Sequence, residues 1–125
     1  MTENMPSKRK EVGAIGEKLA ADFLKKHSYK IIQRNFRCRG GEIDIIAQHN
    51  DCMVFVEVRT KRGSGFGTPE ESVSFFKREK LVSLADTYLQ SCKNLPPNWR
   101  IDVIAVELTS DSRVSRLEHI ENAVS

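Results

Sequence analysis

The chain has 125 residues, 39% of them hydrophobic and 30% charged, with 20 Lys and Arg against 17 Asp and Glu. This length fits one domain with its own hydrophobic core. The longest apolar runs, such as Val103–Val106, are far shorter than the ~20 residues that cross a bilayer, so no membrane protein is expected. A net charge of +3 does not by itself identify a nucleic-acid partner.

The N-terminus and the cysteines predict a cytoplasmic protein. Residues 1–10 form a charged, polar, flexible lead-in without the apolar stretch of a signal peptide, which leaves residues 11–125 for the single domain. The three cysteines are widely spaced and form no C-x-x-C pair, so reduced thiols are expected. The histidines are equally scattered along the chain, at His27, His49 and His119, and their spacing predicts no zinc site.

The first half of the domain reads as a helix followed by strands. Apolar residues recur at helical spacing from Val12 to Phe23 and predict a first helix over Glu11–Lys26. Two short extended segments follow, at Tyr29–Ile32 and Asn35–Arg37. A hairpin is then expected, because two β-rich segments flank the turn-like residues 49–51. These two strands are Ile43–Ala47 and Met53–Val58.

The second half adds a helix and further strands. After a flexible loop at Arg62–Gly67, Thr68–Glu71 offers an N-cap Thr, Pro at the first helical position and Glu two positions later, so a second helix is expected from there to Ser91. Arg100–Leu108 is a clear strand, and Val114–Ile120 a short edge strand. The order α-β-β-β-α-β predicts an α/β fold with a mixed central sheet flanked by helices.

The hairpin places four charged residues on one face. If its turn occupies residues 50–51, Asp44 lies opposite Glu57 and Glu42 lies opposite Arg59. The other face is apolar and is expected to cover a core; it is formed by Ile43, Ile45, Val54, Val56 and Val58. Carboxylates opposed across two strands repel each other. Either a cation such as Mg²⁺ or Mn²⁺ lies between them, or Arg59 and nearby lysines neutralise an exposed acidic face.

Two further charged residues lie beside apolar stripes. Glu17 is at the edge of the apolar arc of the first helix, next to small residues that allow another backbone to approach; the alternative is a solvated glutamate. Lys77 precedes Leu81 and Leu84 on the core-facing stripe of the second helix. Its ammonium either extends to the surface or points at an anionic group near the helix start.

Basic residues cluster in three stretches of the chain. No acidic residue interrupts the first stretch, from Lys25 to Arg39. The second follows the hairpin and the third begins the second helix. Such clusters beside a candidate metal site are typical of a surface that contacts nucleic-acid phosphates, and a solvated basic face is the alternative. The residues expected to bind nucleic acid are Lys30, Arg34, Arg37, Arg39, Lys61 and Arg62.

An ordered series of motifs extends over residues 11–108. The series is Gly16-Glu17, Tyr29-Lys30-Ile31, Arg34-Asn35-Phe36-Arg37, Gly41-Glu42-Ile43-Asp44, Phe55-Val56-Glu57-Val58-Arg59, Phe66-Gly67, Lys77 and Arg100-Ile101-Asp102-Val103. In this order the motifs resemble the YraN-type family of small bacterial proteins. That family is similar to the archaeal Holliday-junction resolvases and to the restriction-endonuclease-like, PD-(D/E)xK superfamily.

The resemblance implies a restriction-endonuclease-like fold and a phosphodiesterase site that depends on Mg²⁺ or Mn²⁺. Asp44 matches the metal-binding aspartate of the superfamily, Glu57 the acid of its E-x-K signature, and Glu17 the helix-one glutamate of the resolvases. These three are the expected metal ligands. The proline of the motif's first half is absent, since Ile43 precedes Asp44.

The usual lysine of the E-x-K signature is replaced by Arg59. Arginine stays protonated and can only act as a clamp, whereas a lysine near a metal can also orient water or lose a proton. Lys61 or Lys77 could supply the missing ammonium. The expected catalytic residues are therefore Asp44, Glu57, Arg59 and Lys77, while Asp102 is assigned a structural role beside Arg100.

The sequence therefore predicts a metal-dependent nuclease that acts on nucleic acid, with DNA favoured and branched DNA a candidate substrate. The alternative is a catalytically inactive nucleic-acid-binding module of the same fold, and a third possibility is a protein-interaction adaptor. A homodimer is expected by analogy with resolvases, which act on two-fold junctions.

Overall fold

A five-stranded sheet whose strands lie in sequence order is the frame of the fold. The computed structural model describes residues 8–63, 65 and 67–123, without the side chains of Lys8 and Phe75. Strands β3 and β4 are parallel and the other neighbours antiparallel, so the sheet is mixed. The strands are β1 (Lys30–Cys38), β2 (Gly41–His49), β3 (Cys52–Arg62), β4 (Asn98–Leu108) and β5 (Val114–Ile120).

Two α-helices complete the predicted α-β-β-β-α-β order of a single α/β domain, which is confirmed together with the edge strand β5. Helix α1 (Lys8–Lys26) begins three residues earlier than predicted, and residues 1–7 of the predicted lead-in lie outside the described residues. Helix α2 (Phe75–Ser91) makes the crossover from β3 to its parallel neighbour β4. Neither helix is long and apolar enough, within the described residues, to cross a membrane.

The two helices pack on opposite faces of the sheet, so both faces carry a core. Under α1, Leu24 packs with Ile45 and Val56. Under α2, Leu81 packs with Ile46 and Phe55. The prediction of one apolar and one acidic hairpin face was therefore wrong: the second face is apolar over most of its length, and its charged residues are confined to one end.

The hairpin register is confirmed over only part of its length. The β2–β3 pairing runs from His49↔Cys52 to Ile45↔Val56, as a turn at residues 50–51 requires, and contains no pair beyond Ile45. The expected pairs of Asp44 with Glu57 and of Glu42 with Arg59 are not formed. The physical reason is that the strands diverge there, and the Asp44 carboxylate accepts the backbone N–H of Val58 at 2.8 Å.

Strand β1 and the end of β2 are also less regular than predicted. The two expected extended segments are one strand, whose register shifts between Ile31 and Gln33. Asn35 interrupts it with a left-handed backbone (φ 55°). Opposite this interruption β2 changes face, because Ile43 packs in the core under α2 while Ile45 packs under α1. The prediction that Ile43 shares a face with Ile45 was wrong for this reason.

The predicted second helix is divided into two. The Glu71 carboxylate accepts the backbone N–H of Thr68, as a capping box requires, but only a short 3₁₀ helix (Pro69–Ser72) follows. Val73 is extended and buried, so the chain turns its side chain into the core. Ser74 then caps α2 by accepting the N–H of Lys77 at 3.2 Å.

Gly16 brings α1 into close contact with β3. A Cβ atom at this position would stand 1.7 Å from Oγ1 of Thr60, which no side-chain adjustment of a few tenths of an ångström can accommodate. By contrast, a Cβ at Gly13, one turn earlier, would have no neighbour within 4 Å. Gly16 therefore fixes the distance between the helix and the sheet next to Glu17.

We expect Gly16→Ala to lower the free energy of unfolding by about 2 kcal/mol or more, because the helix must move away from β3. Gly13→Ala serves as the matched control, and we expect it to gain ~0.5–1 kcal/mol from helix propensity alone. Urea unfolding of both variants measures the difference. Equal effects of the two substitutions would contradict the close contact.

A buried aspartate anchors β4 to β5. Asp102 is fully buried and accepts hydrogen bonds from Arg100 Nε (3.0 Å) and the backbone N–H of Asn122 (2.8 Å), and its Oδ2 lies 2.7 Å from Nε2 of His119. Arg100 also donates to the hydroxyl of Tyr29 at 2.7 Å, which ties the start of β1 to the network. The pairing with Arg100 agrees with the structural role predicted for Asp102.

The three histidines are not scattered in space. His27 lies against Phe23 with ring centroids 4.1 Å apart, and His49 stacks on Tyr29 at the same centroid distance. His119 meets the edges of both aromatic rings. Residues far apart in sequence thus form one cluster beside the Asp102 network.

Burial raises the pKa of Asp102, but the hydrogen bonds and the charge of Arg100 outweigh burial and hold the pKa below its usual value. Its contribution to stability is therefore present above pH ~4 and is lost as the pH falls through the lowered pKa. We expect Asp102→Asn to cost about 3 kcal/mol or more at pH 7 and the gap to wild type to close below pH ~4. Denaturant unfolding across pH measures this difference, and Asp86→Asn, at an exposed position, is the control. A difference in unfolding free energy that does not change with pH would contradict the expected dependence on the Asp102 pKa.

Candidate functional site

The site forms where β2 and β3 separate. Past the last pair of the ladder, Ile45↔Val56, the next residue on each strand is acidic: Asp44 on β2 and Glu57 on β3. Asp44 is held by the N–H of Val58, and Glu57 is only 3% exposed. A buried carboxylate is costly unless it is paired, so its surroundings determine what the site can do.

Two cations neutralise the Glu57 carboxylate. Arg59 Nη1 lies 3.2 Å and Lys77 Nζ 3.4 Å from the same oxygen, Oε2. Arg59 also donates from Nε to the hydroxyl of Ser72 at 2.7 Å, which fixes its guanidinium against the 3₁₀ helix. The Lys77 ammonium, predicted either to reach the surface or to point at an anionic group, contacts Glu57. Both predicted cationic residues therefore meet on one acidic residue.

Glu17 approaches from α1 and has its own partners. Its carboxylate lies 4.0 Å from Arg34 Nη2 on β1. Burial raises the pKa of Glu17 most, the charge of Arg34 lowers it, and the charges of Glu42 and Glu57 raise it further. Glu42, predicted to face Arg59, instead pairs with Arg37 across β1 and β2, with Nε and Oε2 3.4 Å apart.

Asp44 is the most strongly perturbed acid of the group. Burial and then the charge of Glu57 raise its pKa to about 8, against the lowering effect of the Val58 N–H. The charges of Glu17 and Glu42 add smaller increases. A carboxyl group with a raised pKa holds its proton to higher pH, which relieves the repulsion between Asp44 and Glu57.

The donor chemistry of this group fits a hard divalent cation. Oxygen ligands from Asp44, Glu57 and Glu17 are of the type that Mg²⁺ and Mn²⁺ prefer. Burial, together with the charges of neighbouring acids, raises the pKa values of Asp44 and Glu17. Within the part of the chain that the structure describes, no three His, Cys, Asp or Glu side chains are grouped closely enough to hold a metal. The three predicted ligands thus lie near one another but are not close enough together to form a complete metal site.

The predicted nucleic-acid-binding residues divide into two groups. Four lie exposed on β1 or directly after it: Lys30, Arg34, Arg37 and Arg39. The other two, Lys61 and Arg62, line a cleft of about 890 Å³ between α1 and the 3₁₀ helix. Glu17 and Arg59 also line this cleft, so it borders the acidic group at these two residues.

The cleft is strongly basic. Among the described residues, four basic side chains line it (Arg9, Arg59, Lys61 and Arg62), against one acidic side chain, Glu17. The Lys61 ammonium donates to a backbone carbonyl, that of Gly67, at 2.7 Å, and Arg62 donates to the hydroxyl of Ser112 at the same distance. These two hydrogen bonds orient the Lys61 and Arg62 side chains.

Sequence reasoning missed two residues of the site. Arg9 was assigned to the lead-in, because the apolar periodicity begins only at Val12. Ser72 had no signal, since its role depends on the 3₁₀ helix that holds it against Arg59. Phe66 of the Phe66-Gly67 motif lies outside the described residues.

Comparison with known proteins identifies the family. A sequence model of the family described as "Uncharacterised protein family UPF0102" matches residues 16–106, which include every acidic residue of the site. The chain belongs to this family. Membership of the YraN-type family, which the ordered motifs indicated, is thereby confirmed.

Relatives resemble the chain over nearly its whole length. A UPF0102 protein of Roseiflexus castenholzii is 43% identical over 122 residues, covering 96% of this chain and 98% of the relative. Another from Symbiobacterium thermophilum is 47% identical over 114 residues, covering 91% and 96%. A third, from Caldanaerobacter subterraneus subsp. tengcongensis, is 42% identical over 116 residues, covering 92% and 95%.

Asp44→Asn keeps an oxygen that can accept the Val58 N–H but removes the charge. Because the pKa of Asp44 is raised, the folded wild type binds more protons than the unfolded chain between pH ~4 and pH 8, so its stability falls as the pH rises through this range. We expect the metal-free variant to become increasingly more stable than wild type as the pH rises through this range. Above pH 8 the difference in stability should stay constant. Thermal unfolding across pH measures this, and a lead that shrinks toward pH 8 would contradict it.

Proposed function

We propose that this protein is a Mg²⁺- or Mn²⁺-dependent nuclease that hydrolyses phosphodiester bonds of nucleic acid. The observation that carries the proposal is the buried Glu57 carboxylate, contacted by Arg59 and Lys77 and lying beside Asp44, whose pKa is raised. A strongly perturbed acid next to half-buried cations and a cleft is typical of an active site.

In the proposed mechanism Asp44 and Glu57 would hold the divalent ion, and Glu17 would add a ligand from α1. When bound, this ion polarises the scissile phosphate and lowers the pKa of water at the site. The Arg59 guanidinium and the Lys77 ammonium stabilise the negative charge that develops on the phosphate oxygens. Because Ser72 fixes Arg59, its guanidinium needs little reorganisation during the reaction.

The replacement of the usual lysine by Arg59 is compatible with this mechanism. Lys77 reaches the same Glu57 oxygen from α2, so an ammonium is present even though β3 supplies a guanidinium. Arg59 then acts as a clamp, and the Lys77 ammonium is the group that can orient water. Lys61, the other candidate, is turned toward Gly67.

The substrate is nucleic acid, with DNA favoured and branched DNA a candidate. The basic cleft borders the acidic group at Glu17 and Arg59 and offers a surface for the phosphate backbone, and the exposed basic residues of β1 offer a second one. The restriction-endonuclease-like assignment, a cytoplasmic location and a homodimer belong to the same proposal. The motif series and the α-β-β-β-α-β order support the fold assignment. The homodimer rests on the analogy with resolvases, and the cytoplasmic location rests on the three widely spaced cysteines.

A catalytically inactive nucleic-acid-binding module is the second candidate. One observation favours it: Arg59 and Lys77 already neutralise Glu57, so the acidic residue is compensated without a metal. In such a module the same basic surfaces would hold nucleic acid, and the acidic group would only stabilise the fold.

The deciding experiment measures cleavage of labelled four-way-junction, flap, duplex and single-stranded DNA with Mn²⁺ or Mg²⁺. We expect metal-dependent cleavage by wild type. Glu57→Gln and Lys77→Met should each lower the cleavage rate on the order of 100-fold or more, because the first removes a carboxylate ligand and the second a charge-stabilising group. Glu79→Gln, an exposed glutamate of α2, is the matched control and should retain activity. Salt-sensitive DNA binding without cleavage by the folded wild type would establish the binding module instead.

A further inference from the structure

Asn35 interrupts β1 at the position that faces Asp44. The β1–β2 register passes from Arg34↔Ile45 to Phe36↔Ile43 and contains no pair formed by Asn35 and Asp44. The backbone of Asn35 is left-handed, with φ 55°. Asparagine tolerates this conformation better than other residues with a Cβ, so the residue type suits the interruption. The same interruption frees Asp44 from the sheet on its β1 side.

The side-chain amide of Asn35 lies between two carboxylates on different elements. With its nitrogen oriented toward them, the amide donates to Oε1 of Glu17 at 3.0 Å and to Oε2 of Glu42 at 3.2 Å. This orientation follows from the partners, because the opposite one would set the amide oxygen against two acceptors. A primary amide has two N–H groups, so one side chain can serve both acids at once.

The charges around Asn35 show what its two hydrogen bonds add to the site. Glu17 and Glu42 repel each other, which contributes to the raised pKa of Glu17. Each has a cation on its own side, Arg34 at 4.0 Å from Glu17 and Arg37 at 3.4 Å from Glu42. Neither cation joins the two acids to each other. The uncharged amide of Asn35 contacts both acids, and it thereby links α1 to the sheet through side chains.

We propose that Asn35 is a positioning residue that ties Glu17 of α1 to Glu42 of β2 and so sets where the Glu17 carboxylate stands beside Asp44. The tie itself is a property of the folded chain. Its consequence for cation binding rests on the proposed function, in which Glu17 is a ligand. Groups that orient a ligand in this way typically change metal affinity by about 10–100-fold when removed.

The chain supplies a matched pair of variants. Asn50, in the β2–β3 turn, has the same φ of 55° as Asn35. Replacing either with glycine keeps the left-handed backbone and removes the amide, but only Asn35→Gly removes a donor to the acidic group. A difference between the two variants therefore reports the amide and not the backbone.

The tie is tested in metal-free protein with a thermal-unfolding cycle of Asn35→Gly, Glu17→Ala and the double variant. We expect non-additivity: the second substitution should cost less once the first has removed the hydrogen bond. Additive losses would overturn the proposal. If Asn35→Gly does not fold, the NMR signal of the Asn35 side-chain NH₂ decides: Glu17→Ala should shift it and leave that of Asn50 in place, and an unmoved signal would overturn the tie.

The consequence for cation binding is tested by Mn²⁺ titration of the same proteins, followed by electron paramagnetic resonance. We expect Asn35→Gly to bind Mn²⁺ on the order of 10-fold more weakly than Asn50→Gly. Equal or tighter binding would overturn the positioning role. Absence of Mn²⁺ binding by wild type would refute the metal-dependent function, whereas the unfolding cycle would still decide whether Asn35 ties the two acids.

Discussion

Burial of the Glu57 carboxylate is the constraint around which one end of the molecule is organised. A carboxylate with 3% exposure needs positive charge nearby, and two elements provide it: Arg59 from its own strand and Lys77 from α2. Lys77 reaches it only because the chain breaks at Val73 and α2 starts anew. The 3₁₀ helix before that break holds Arg59 through Ser72. The connection between β3 and α2 thus places both cations, Arg59 and Lys77, beside Glu57.

The position of α1 determines the remainder of the site. Gly16 allows the helix to lie directly on Thr60 of β3, and the next residue, Glu17, is consequently held at the edge of the acidic group. On the neighbouring strand, the hydrogen bonds of Asp102 join β4 to β5, and its partner Arg100 extends the network to Tyr29 at the start of β1. The steric contact between Gly16 and Thr60 and the polar network of Asp102 therefore both fix how this side of the molecule packs.

Sequence reasoning recovered what local patterns encode. Periodicity gave the helices and strands in order, and the turn at residues 50–51 gave the hairpin register as far as Ile45. Where the ladder ends could not be foreseen, because it depends on the left-handed Asn35 on one neighbouring strand and on the Val58 N–H of the other. The acidic residues were found through the motifs, but their partners required the tertiary arrangement. The family assignment is confirmed, while the activity stays a proposal.

The irregular β1 also governs how the sheet meets other chains. β1 is an edge strand, and a regular, apolar edge invites pairing with a strand of another molecule. Here the register shift after Ile31 and the left-handed Asn35 bend that edge, and Lys30, Arg34 and Arg37 cover it with like charge. The edge is therefore a poor template for strand addition and aggregation. The feature that loosens Asp44 from the sheet also protects the chain against self-association through β1.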